Sequence, residues 1–154
     1  MIRKANKNDI AGLTALLRQV AAVHHAIRPD LFKSGTTKYT EQELSDLLDD
    51  TDKPVFVFED GGIILGHAFC QLSEIKDHRL LQDIKTLYID DICVDEAARG
   101  RHVGKALYDY VLDFARSMGC YNVTLNVWEG NDAALAFYRS MGMHVQKTGM
   151  ETIL

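Results

Sequence analysis

The stretch of sequence that decides the fold runs from Ile89 to Leu107: Ile89-Asp-Asp-Ile-Cys-Val-Asp-Glu-Ala-Ala-Arg99-Gly-Arg-His-Val-Gly-Lys-Ala-Leu107. Its first part has the apolar residues of a β-strand, its last part has the apolar spacing of a helix, and Gly100 and Gly104 lie at the junction. Such a junction presents unpaired backbone N–H groups at the positive end of a helix dipole, which favours binding of an anion. Three basic side chains add positive charge at the same place: Arg99, Arg101 and Lys105.

Two blocks of sequence resemble the GNAT superfamily of N-acetyltransferases. Residues 99–104 (Arg-Gly-Arg-His-Val-Gly) resemble its acyl-CoA pyrophosphate loop, Gln/Arg-x-x-Gly-x-Gly/Ala, with His102 where glycine is more common. Residues 131–143 resemble its Asn-x-x-Ala-x-x-x-Tyr-x-x-x-Gly-Phe segment, and the blocks have the family's order and spacing. The loop lacks the Gly-Lys-Ser/Thr of a P-loop and the Gly-x-Gly-x-x-Gly dinucleotide fingerprint. The alternative is a polar surface turn capped by glycines.

The length and composition are those of one soluble domain, so residues 1–154 are predicted to form a single domain. No apolar run reaches the roughly 18 residues of a membrane span, and the first residues lack the apolar core of a signal peptide. Three widely spaced cysteines without a C-x-x-C pair argue against disulfides and a metal site, and for the cytoplasm. A net charge of −5 argues against nucleic acid as the main partner and mildly favours a cationic substrate.

Hydrophobic spacing, capping residues and turns predict the order β-α-α-β-β-β-α-β-α-β. The predicted elements are a strand over 1–5, a helix from Asn8 or Asp9 to about His25, a helix opened by the capping box at Thr40, strands over 55–59 and 63–75 with a bulge at Gly66, a strand over 85–94, a helix over 103–118, a strand over 121–127, a helix from Asn131 to Gly142, and one or two strands up to Ile153. The order matches the GNAT fold. The resemblance implies an α+β domain with a mixed, mostly antiparallel sheet, helices on both faces, and splayed parallel strands that bind acetyl-CoA.

The resemblance implies acetyl-CoA as the cofactor, with its pantetheine arm along the end of the strand over 85–94 and its pyrophosphate on the glycine-containing loop. The implied cofactor-binding residues are Ile92, Cys93, Val94, Arg99, Gly100, Arg101, His102, Val103, Gly104, Lys105, Asn131, Ala134 and Tyr138. Asn131 and Tyr138 are seven residues apart and share a helix face with the small Ala134 between them. By resemblance, the Tyr138 hydroxyl faces the thioester sulfur and could protonate the departing thiolate as a general acid. The alternative is that Tyr138 only packs its ring.

Asp90 and Asp91 are adjacent carboxylates in an otherwise apolar strand. Because side chains alternate along a strand, we expect one carboxylate on each face of the sheet. A carboxylate buried there would have a raised pKa, which suits a general base, whereas a solvated or helix-capping role is the alternative. Residues 87–94, with a smaller contribution from 128–131, also resemble the polyamine and diamine acetyltransferases. That resemblance implies an acidic pair near the reacting amine, and it favours a small cationic amine as the acceptor.

The loop between the first two helices is expected to form part of the acceptor wall. The candidate substrate-binding residues are His24, His25, Arg28 and Phe32, together with Asp90 and Asp91. The two histidines could instead form a polar helix end, and the basic residues could favour an acceptor with a carboxylate. An acyl-cysteine route through Cys93 is an alternative, but a small apolar strand residue explains Cys93 more simply, and direct attack by the amine is expected.

The predicted function is therefore transfer of an acetyl group from acetyl-CoA to a primary amine by a cytoplasmic enzyme, with no metal and no nucleic-acid or membrane partner. Two alternatives stay open: the same chemistry on a protein or peptide N-terminus or a lysine side chain, and an acyl-CoA-binding regulatory module without turnover. A homodimer is an expectation from the resemblance alone.

Overall fold

Five strands and four α-helices make up the computed structural model, which describes residues 1–154. In chain order they are β1 (Ile2–Lys4), α1 (Ile10–Ile27), α2 (Glu41–Leu48), β2 (Val55–Asp60), β3 (Ile63–Ile75), β4 (Ile84–Val94), α3 (Val103–Ser117), β5 (Asn122–Leu125) and α4 (Asp132–Ser140). Two 3₁₀ turns, Lys7–Asp9 and Glu96–Ala98, precede α1 and the loop before α3.

The strands form one sheet in the order β1-β2-β3-β4-β5. The first four strands pair antiparallel, and β5 pairs parallel to β4. A parallel pair needs a crossover connection, and α3 supplies it. The predicted mixed, mostly antiparallel sheet is confirmed.

Two apolar clusters hold the helices on opposite faces of the sheet. On one face, Leu107 of α3 packs with Leu87 of β4, and α4 contributes partly buried aromatic residues. On the other, Leu13 of α1 packs with Leu44 of α2 and Val57 of β2. These five named residues are all fully buried, and each such side chain contributes roughly 1.5–3 kcal/mol to stability.

The segment Lys7–Ile27 is long and apolar enough, by length and composition, to cross a membrane. No uninterrupted apolar run of that length exists in it, because Arg18 and Gln19 lie in the middle of α1. In the structure its Leu13, Leu16 and Leu17 are buried in the domain, and the core helix of a folded domain passes the same test. Length and composition are therefore weak indications of a membrane span here.

The predicted irregularity at Gly66 lies where the register between β2 and β3 shifts. Phe58 pairs with Gly66 and the next residue of β2 pairs with Ile64, so β3 carries one extra residue. A Cβ on Gly66 would lie 2.9 Å from the Leu107 side chain and 3.0 Å from that of Val103. Glycine at this position lets α3 pack directly on the sheet.

The predicted start of α1 agrees with the structure, because Asp9 is the residue immediately before the helix. The capping hydrogen bonds lie one turn earlier, at the 3₁₀ turn: the Asn6 side chain accepts a hydrogen bond from the Asn8 N–H at 2.9 Å, and the Asp9 carboxylate accepts one from the Asn6 N–H at 2.8 Å. The fifth strand is shorter than predicted and covers only Asn122–Leu125.

The predicted strands after α4 do not form, since residues 143–154 have no regular secondary structure. The alternating apolar residues that suggested them, Val145, Met150 and Ile153, are 60%, 94% and 72% exposed. A strand needs a partner for its backbone groups as well as an alternating pattern, and no strand of this chain pairs with the segment.

Candidate active site

The parallel strands β4 and β5 separate at the centre of the sheet. Their pairing ends with Ile89 and Leu125, while β4 continues to Val94 beside β3 alone. The β4 backbone groups on the β5 side have no strand partner beyond Ile89, so a gap opens along this edge. The geometry matches the splayed parallel strands predicted from the sequence.

A β-bulge lies where the strands separate. Phe69 of β3 pairs with Asp91, the next residue Cys70 pairs with Ile89, and Asp90 is left without a partner. An extra residue interrupts the alternation of side chains, because two residues on the bulged strand oppose one on its neighbour. The expectation that Asp90 and Asp91 lie on opposite faces is therefore wrong.

Both carboxylates have partners on the face covered by α1 and α2. Asp90 accepts a hydrogen bond from the ammonium of Lys38, and its side chain is 29% exposed. Burial alone would lower the pKa of Lys38, but the hydrogen bond and charge of Asp90 outweigh it and raise that pKa. Asp91 Oδ2 lies 2.6 Å from Nε2 of His67, and its side chain is 16% exposed. Sequence reasoning missed both Lys38 and His67.

The two carboxylates open into different clefts. Asp91 lies in a cleft of about 160 Å³ between α1 and β4, lined by Gln19, Val20, Val23, His24, Asp91, Ile92, Cys93, Val94, Arg99 and Asn131. Asp90 lies in a second cleft of about 120 Å³ with Lys38 and Tyr39. The larger cleft thus brings together seven of the predicted site residues, and adds three residues of α1 that the sequence did not single out.

The loop before α3 has the backbone of a glycine-containing anion loop. Gly100 has a φ of +80°, and His102, the residue at the helix N-cap, has a φ of +61°. The His102 side chain makes no capping hydrogen bond, and the first turn of α3 contains no acidic residue. The first N–H groups of a helix have no partner within it, so this end of α3 can accept an anion. His102 occupies the left-handed region that the family's glycine would adopt without strain.

The basic residues of the loop differ in their pairing. Arg101 donates to Asp60 at 3.0 Å and Lys105 donates to Asp109 at 2.5 Å. Arg99 has no ion-pair partner, and it is the member of this group that lines the larger cleft. Arg99 is therefore the basic side chain most available to an anion.

Gly104 lies against α4 and β4, and its predicted contact with the cofactor stays a prediction. A Cβ there would lie 3.4 Å from the Phe137 ring of α4 and 3.5 Å from the Val94 side chain. The position thus faces the contact between α3, α4 and β4. At Gly100, by contrast, a Cβ would meet nothing within 4 Å, which leaves this part of the loop open.

Tyr138 lies on α4 with its ring between Phe137, at 5.1 Å between centroids, and Tyr108, at 6.4 Å. Burial raises the pKa of its phenol well above the usual value, and the negative charge of Asp91 raises it further. The phenol therefore stays protonated across the physiological range and can donate a proton but not accept one.

Asn131 caps α4, since its Oδ1 accepts a hydrogen bond from the Ala134 N–H at 3.4 Å. The same residue lines the larger cleft, so its side chain lies at the junction of the cleft and the helix. Its predicted contact with the cofactor arm stays a prediction, as do the predicted roles of the other site residues.

The predicted acceptor-wall residues form a cluster with Trp128. The Phe32 ring lies 5.0 Å from that of His24 and 5.4 Å from that of Trp128, and the Arg28 guanidinium lies 5.8 Å from the Trp128 ring centre. His25 faces the loop, because its Nδ1 donates to the Phe32 carbonyl at 2.7 Å. Of these five residues only His24 lines the larger cleft.

Arg28 is occupied by two carboxylates, since it pairs with Asp30 at 2.7 Å and with Glu151 at 2.5 Å. The hydrogen bonds that Arg28 donates to these carboxylates raise its pKa. A carboxylate of an acceptor would have to displace one of them, which weakens the alternative that Arg28 recognises an amino acid or a peptide terminus.

Cys93 is poorly suited to act as a nucleophile. Its thiol donates to the Leu16 carbonyl at 3.6 Å, and burial raises its pKa to about 12. At pH 7 a thiol with that pKa is ionised to only about 1 part in 10⁵, and the thiolate is the reactive form. This argues for direct attack by the amine. No group of three or more His, Cys, Asp or Glu side chains is arranged to hold a metal ion.

Comparisons with known proteins agree with this geometry. Residues 20–143 match the model of the acetyltransferase (GNAT) family. A segment of 59 residues is 37% identical to glucosamine 6-phosphate N-acetyltransferase from Arabidopsis thaliana, and spans 38% of this chain and 38% of that relative. Thialysine N-epsilon-acetyltransferase from Bos taurus is 24% identical over 152 residues, which cover 92% of this chain and 82% of that protein.

Among solved structures, a mutant of the BH1408 protein from Bacillus halodurans superposes with a TM-score of 0.95 at 30% sequence identity. The superposition covers 100% of this chain and 99% of that one, so the likeness extends beyond the two motif blocks to every element of the fold. The family match covers most of the sequence, including the splayed strands, the anion loop and α4. The chain belongs to the GNAT family of acetyltransferases.

Proposed function

We propose that this protein transfers the acetyl group of acetyl-CoA to the primary amine of a small cationic molecule. The observation that carries the proposal is the gap between β4 and β5. This gap opens at the Asp90 bulge, and Asp91 lies in the cleft beside it. Family membership supports the acetyl transfer, and several relatives are named N-acetyltransferases.

The residues present fit acetyl-CoA. The edge of β4 beyond Ile89 offers unpaired backbone N–H and C=O groups, which an extended amide chain can pair with as an added strand. The N-terminus of α3, together with the free Arg99, suits a pyrophosphate. The cofactor supplies an activated acetyl thioester, and orientation of amine and thioester accounts for much of the expected rate.

The amine must lose a proton before it can attack, since an alkylammonium with a pKa near 10.4 is about 99.9% protonated at pH 7. Asp91 is the better candidate for the base, because it lies in the cleft that contains the predicted cofactor residues. Asp90 is already neutralised by Lys38 and opens into the second cleft. We therefore assign proton acceptance to Asp91. To Asp90 we assign binding of a second positive charge of the acceptor, in competition with Lys38.

A proton is needed on the opposite side of the reaction, where a thiolate departs. Tyr138 can supply it, because its buried phenol holds its proton at neutral pH. An Asp91 that takes a proton and a Tyr138 that gives one form a complementary pair. The negative charge of Asp91 adds to the burial that keeps the Tyr138 phenol protonated.

Three observations support a cationic acceptor over a peptide. Asp91 contributes a carboxylate to the cleft, the chain carries a net charge of −5, and the one arginine of the acceptor wall is paired with two carboxylates. The bovine relative that matches over 92% of this chain is named for acetylation of thialysine. Acetylation of a protein or peptide amine is the competing function.

The test is release of free CoA from acetyl-CoA by the purified protein, with polyamines, amino acids, aminoglycosides and short peptides as acceptors. We expect turnover with di- and polyamines. Turnover with peptides alone would replace the small amine by a protein acceptor. A rise in melting temperature with acetyl-CoA but no product on any amine would refute the enzyme and favour a regulatory module.

We further propose a cytoplasmic location and a homodimer. All three cysteines are free, which suits a reducing compartment. The outer edge of β5 has no strand partner, and residues 143–154, which follow α4, leave apolar side chains exposed. Such an edge and segment suit pairing with a second copy. Light scattering after size-exclusion chromatography tests this, and a monomer at micromolar concentration would refute it.

A further inference from the structure

A buried histidine lies behind the cleft. His67 is in the middle of β3, its side chain is 0% exposed, and it pairs in register with Cys93 of β4. Its Nε2 lies 2.6 Å from Asp91 Oδ2. The edge of its ring packs on Phe69, with 4.8 Å between centroids and an angle of 89° between the planes. An apolar residue would fill this position without the cost of burying a polar ring.

The other ring nitrogen of His67, Nδ1, indicates which of the two nitrogens carries the hydrogen. Nδ1 of His67 is buried and has no hydrogen-bond partner. An ionised Asp91 can only accept, so Nε2 carries the hydrogen and donates it. A positively charged ring would carry a second N–H on Nδ1, buried without an acceptor, which costs free energy. The arrangement therefore selects the neutral ring with its hydrogen on Nε2.

The hydrogen bond acts on one oxygen of Asp91. Oδ2 is held by His67, whereas Oδ1 has no partner within the protein, and the residue lines the larger cleft. A carboxylate on a short side chain can rotate about its last bond, so a fixed donor on one oxygen restricts which oxygen meets the acceptor. His67 is itself held inside the sheet, and so it provides a rigid anchor.

We propose that His67 is a positioning residue that holds Asp91 Oδ2 so that Oδ1 accepts the proton of the acceptor's ammonium. This role rests on the proposed acetyl transfer. The proton moves from the amine nitrogen to Asp91 Oδ1, and it goes no further through the ring, because Nδ1 has no partner to receive it. His67 donates one hydrogen bond to Asp91 throughout the step.

Two substitutions separate positioning from proton transfer. His67→Gln places a side-chain N–H₂ near the position of Nε2, so it can donate to Asp91 but cannot carry a proton. His67→Phe fills the same space without a donor. Both variants are compared with the wild type for kcat and KM on the panel acceptor that turns over fastest, and thermal unfolding with and without acetyl-CoA checks folding and cofactor binding.

We expect His67→Phe to lower kcat by about 10²-fold, the usual cost of misplacing a reacting group by about 1 Å. We expect His67→Gln to retain kcat within about threefold, and both variants to keep the KM for acetyl-CoA. A His67→Phe enzyme with normal kcat would overturn the proposal. So would a His67→Gln enzyme as slow as His67→Phe, because it would point to proton transfer through the ring.

A second measurement does not depend on turnover. Long-range ¹H–¹⁵N spectra of the imidazole rings, with the His67 signals assigned by their loss in His67→Gln, identify which nitrogen carries the hydrogen. We expect Nε2–H at neutral pH, and a hydrogen on Nδ1 would overturn the proposal whatever the activity. Absence of wild-type turnover on every amine would instead refute the proposed function, and with it the catalytic consequence of the hydrogen bond.

Discussion

Replacing His102 by glycine should stabilise the protein, although it removes a side chain. His102 has a φ of +61° and ψ of 18°, the left-handed region, and its side chain makes no capping hydrogen bond. A residue with a Cβ pays roughly 1–2 kcal/mol in this region. Glycine removes that cost but loses about 0.5–1 kcal/mol through the greater freedom of the unfolded chain. The expected net gain is about 0.5–1 kcal/mol.

The gain converts into a measurable temperature shift. An unfolding entropy of about 2.1 cal/mol/K per residue gives about 0.3 kcal/mol/K for 154 residues. The melting temperature of His102→Gly should therefore rise by about 1.5–3 °C in calorimetry. Because the loop would keep its present backbone path and the N–H groups of α3, the further rise caused by acetyl-CoA should be the same in variant and wild type.

His144→Gly is the matched control. His144 lies in the segment without regular structure, and its φ is not positive, so glycine there brings only the entropic cost. Its melting temperature should stay the same or fall slightly. If His102→Gly falls by as much as His144→Gly, then His102 is not strained and the comparison with the family's glycine is wrong.

The remaining predictions concern the chemistry. Tyr138→Phe should lower kcat about 10²-fold without changing the rise in melting temperature caused by acetyl-CoA. The raised pKa keeps the Tyr138 phenol protonated, so the rate of the wild-type enzyme should not fall between pH 7 and about 9. Asp91→Asn should lower kcat by a similar factor, whereas Asp90→Asn should chiefly change the KM for the amine. Equal effects of the two variants on kcat would refute the assignment of different roles to Asp90 and Asp91. Lys38→Gln should free the Asp90 carboxylate and lower the KM for a diamine about two- to fivefold, which corresponds to the strength of an exposed ion pair. The control variant Lys33→Gln, in the same loop, should leave this KM unchanged.

The elements that the sequence predicted well are those whose signals are local. The apolar spacing along α3 places Leu107 and Val111 on one face, and both are fully buried. Gly119, the residue after the helix predicted over 103–118, has a φ of +72°. The capping box predicted at Thr40 is present at the start of α2. Each of these depends on residues within a turn or two of one another, so one sequence contains the whole signal.

What the sequence could not predict depends on pairing between distant segments. The bulge at Asp90 arises from the register of β3 on β4, and nothing in residues 84–94 themselves distinguishes a bulged strand from a regular one. His67 gives no signal either, because a single histidine in an apolar strand has no partner in sequence; its role depends on Asp91, 24 residues away. Lys38 likewise meets its partner 52 residues away.

The bulge at Asp90 determines on which face of the sheet Asp91 lies. Before it, Ile89 packs on the α3 face; after it, Asp91 pairs with Phe69 and lies on the α1 face. Regular alternation would have placed Asp91 on the same face as Ile89, among apolar side chains with no donor for its charge, at a large cost in free energy. One extra residue moves the carboxylate to the face where His67 can donate to it. The bulge lies at the position where β5 leaves β4, so the carboxylate that His67 aligns and the open edge of β4 lie next to one another.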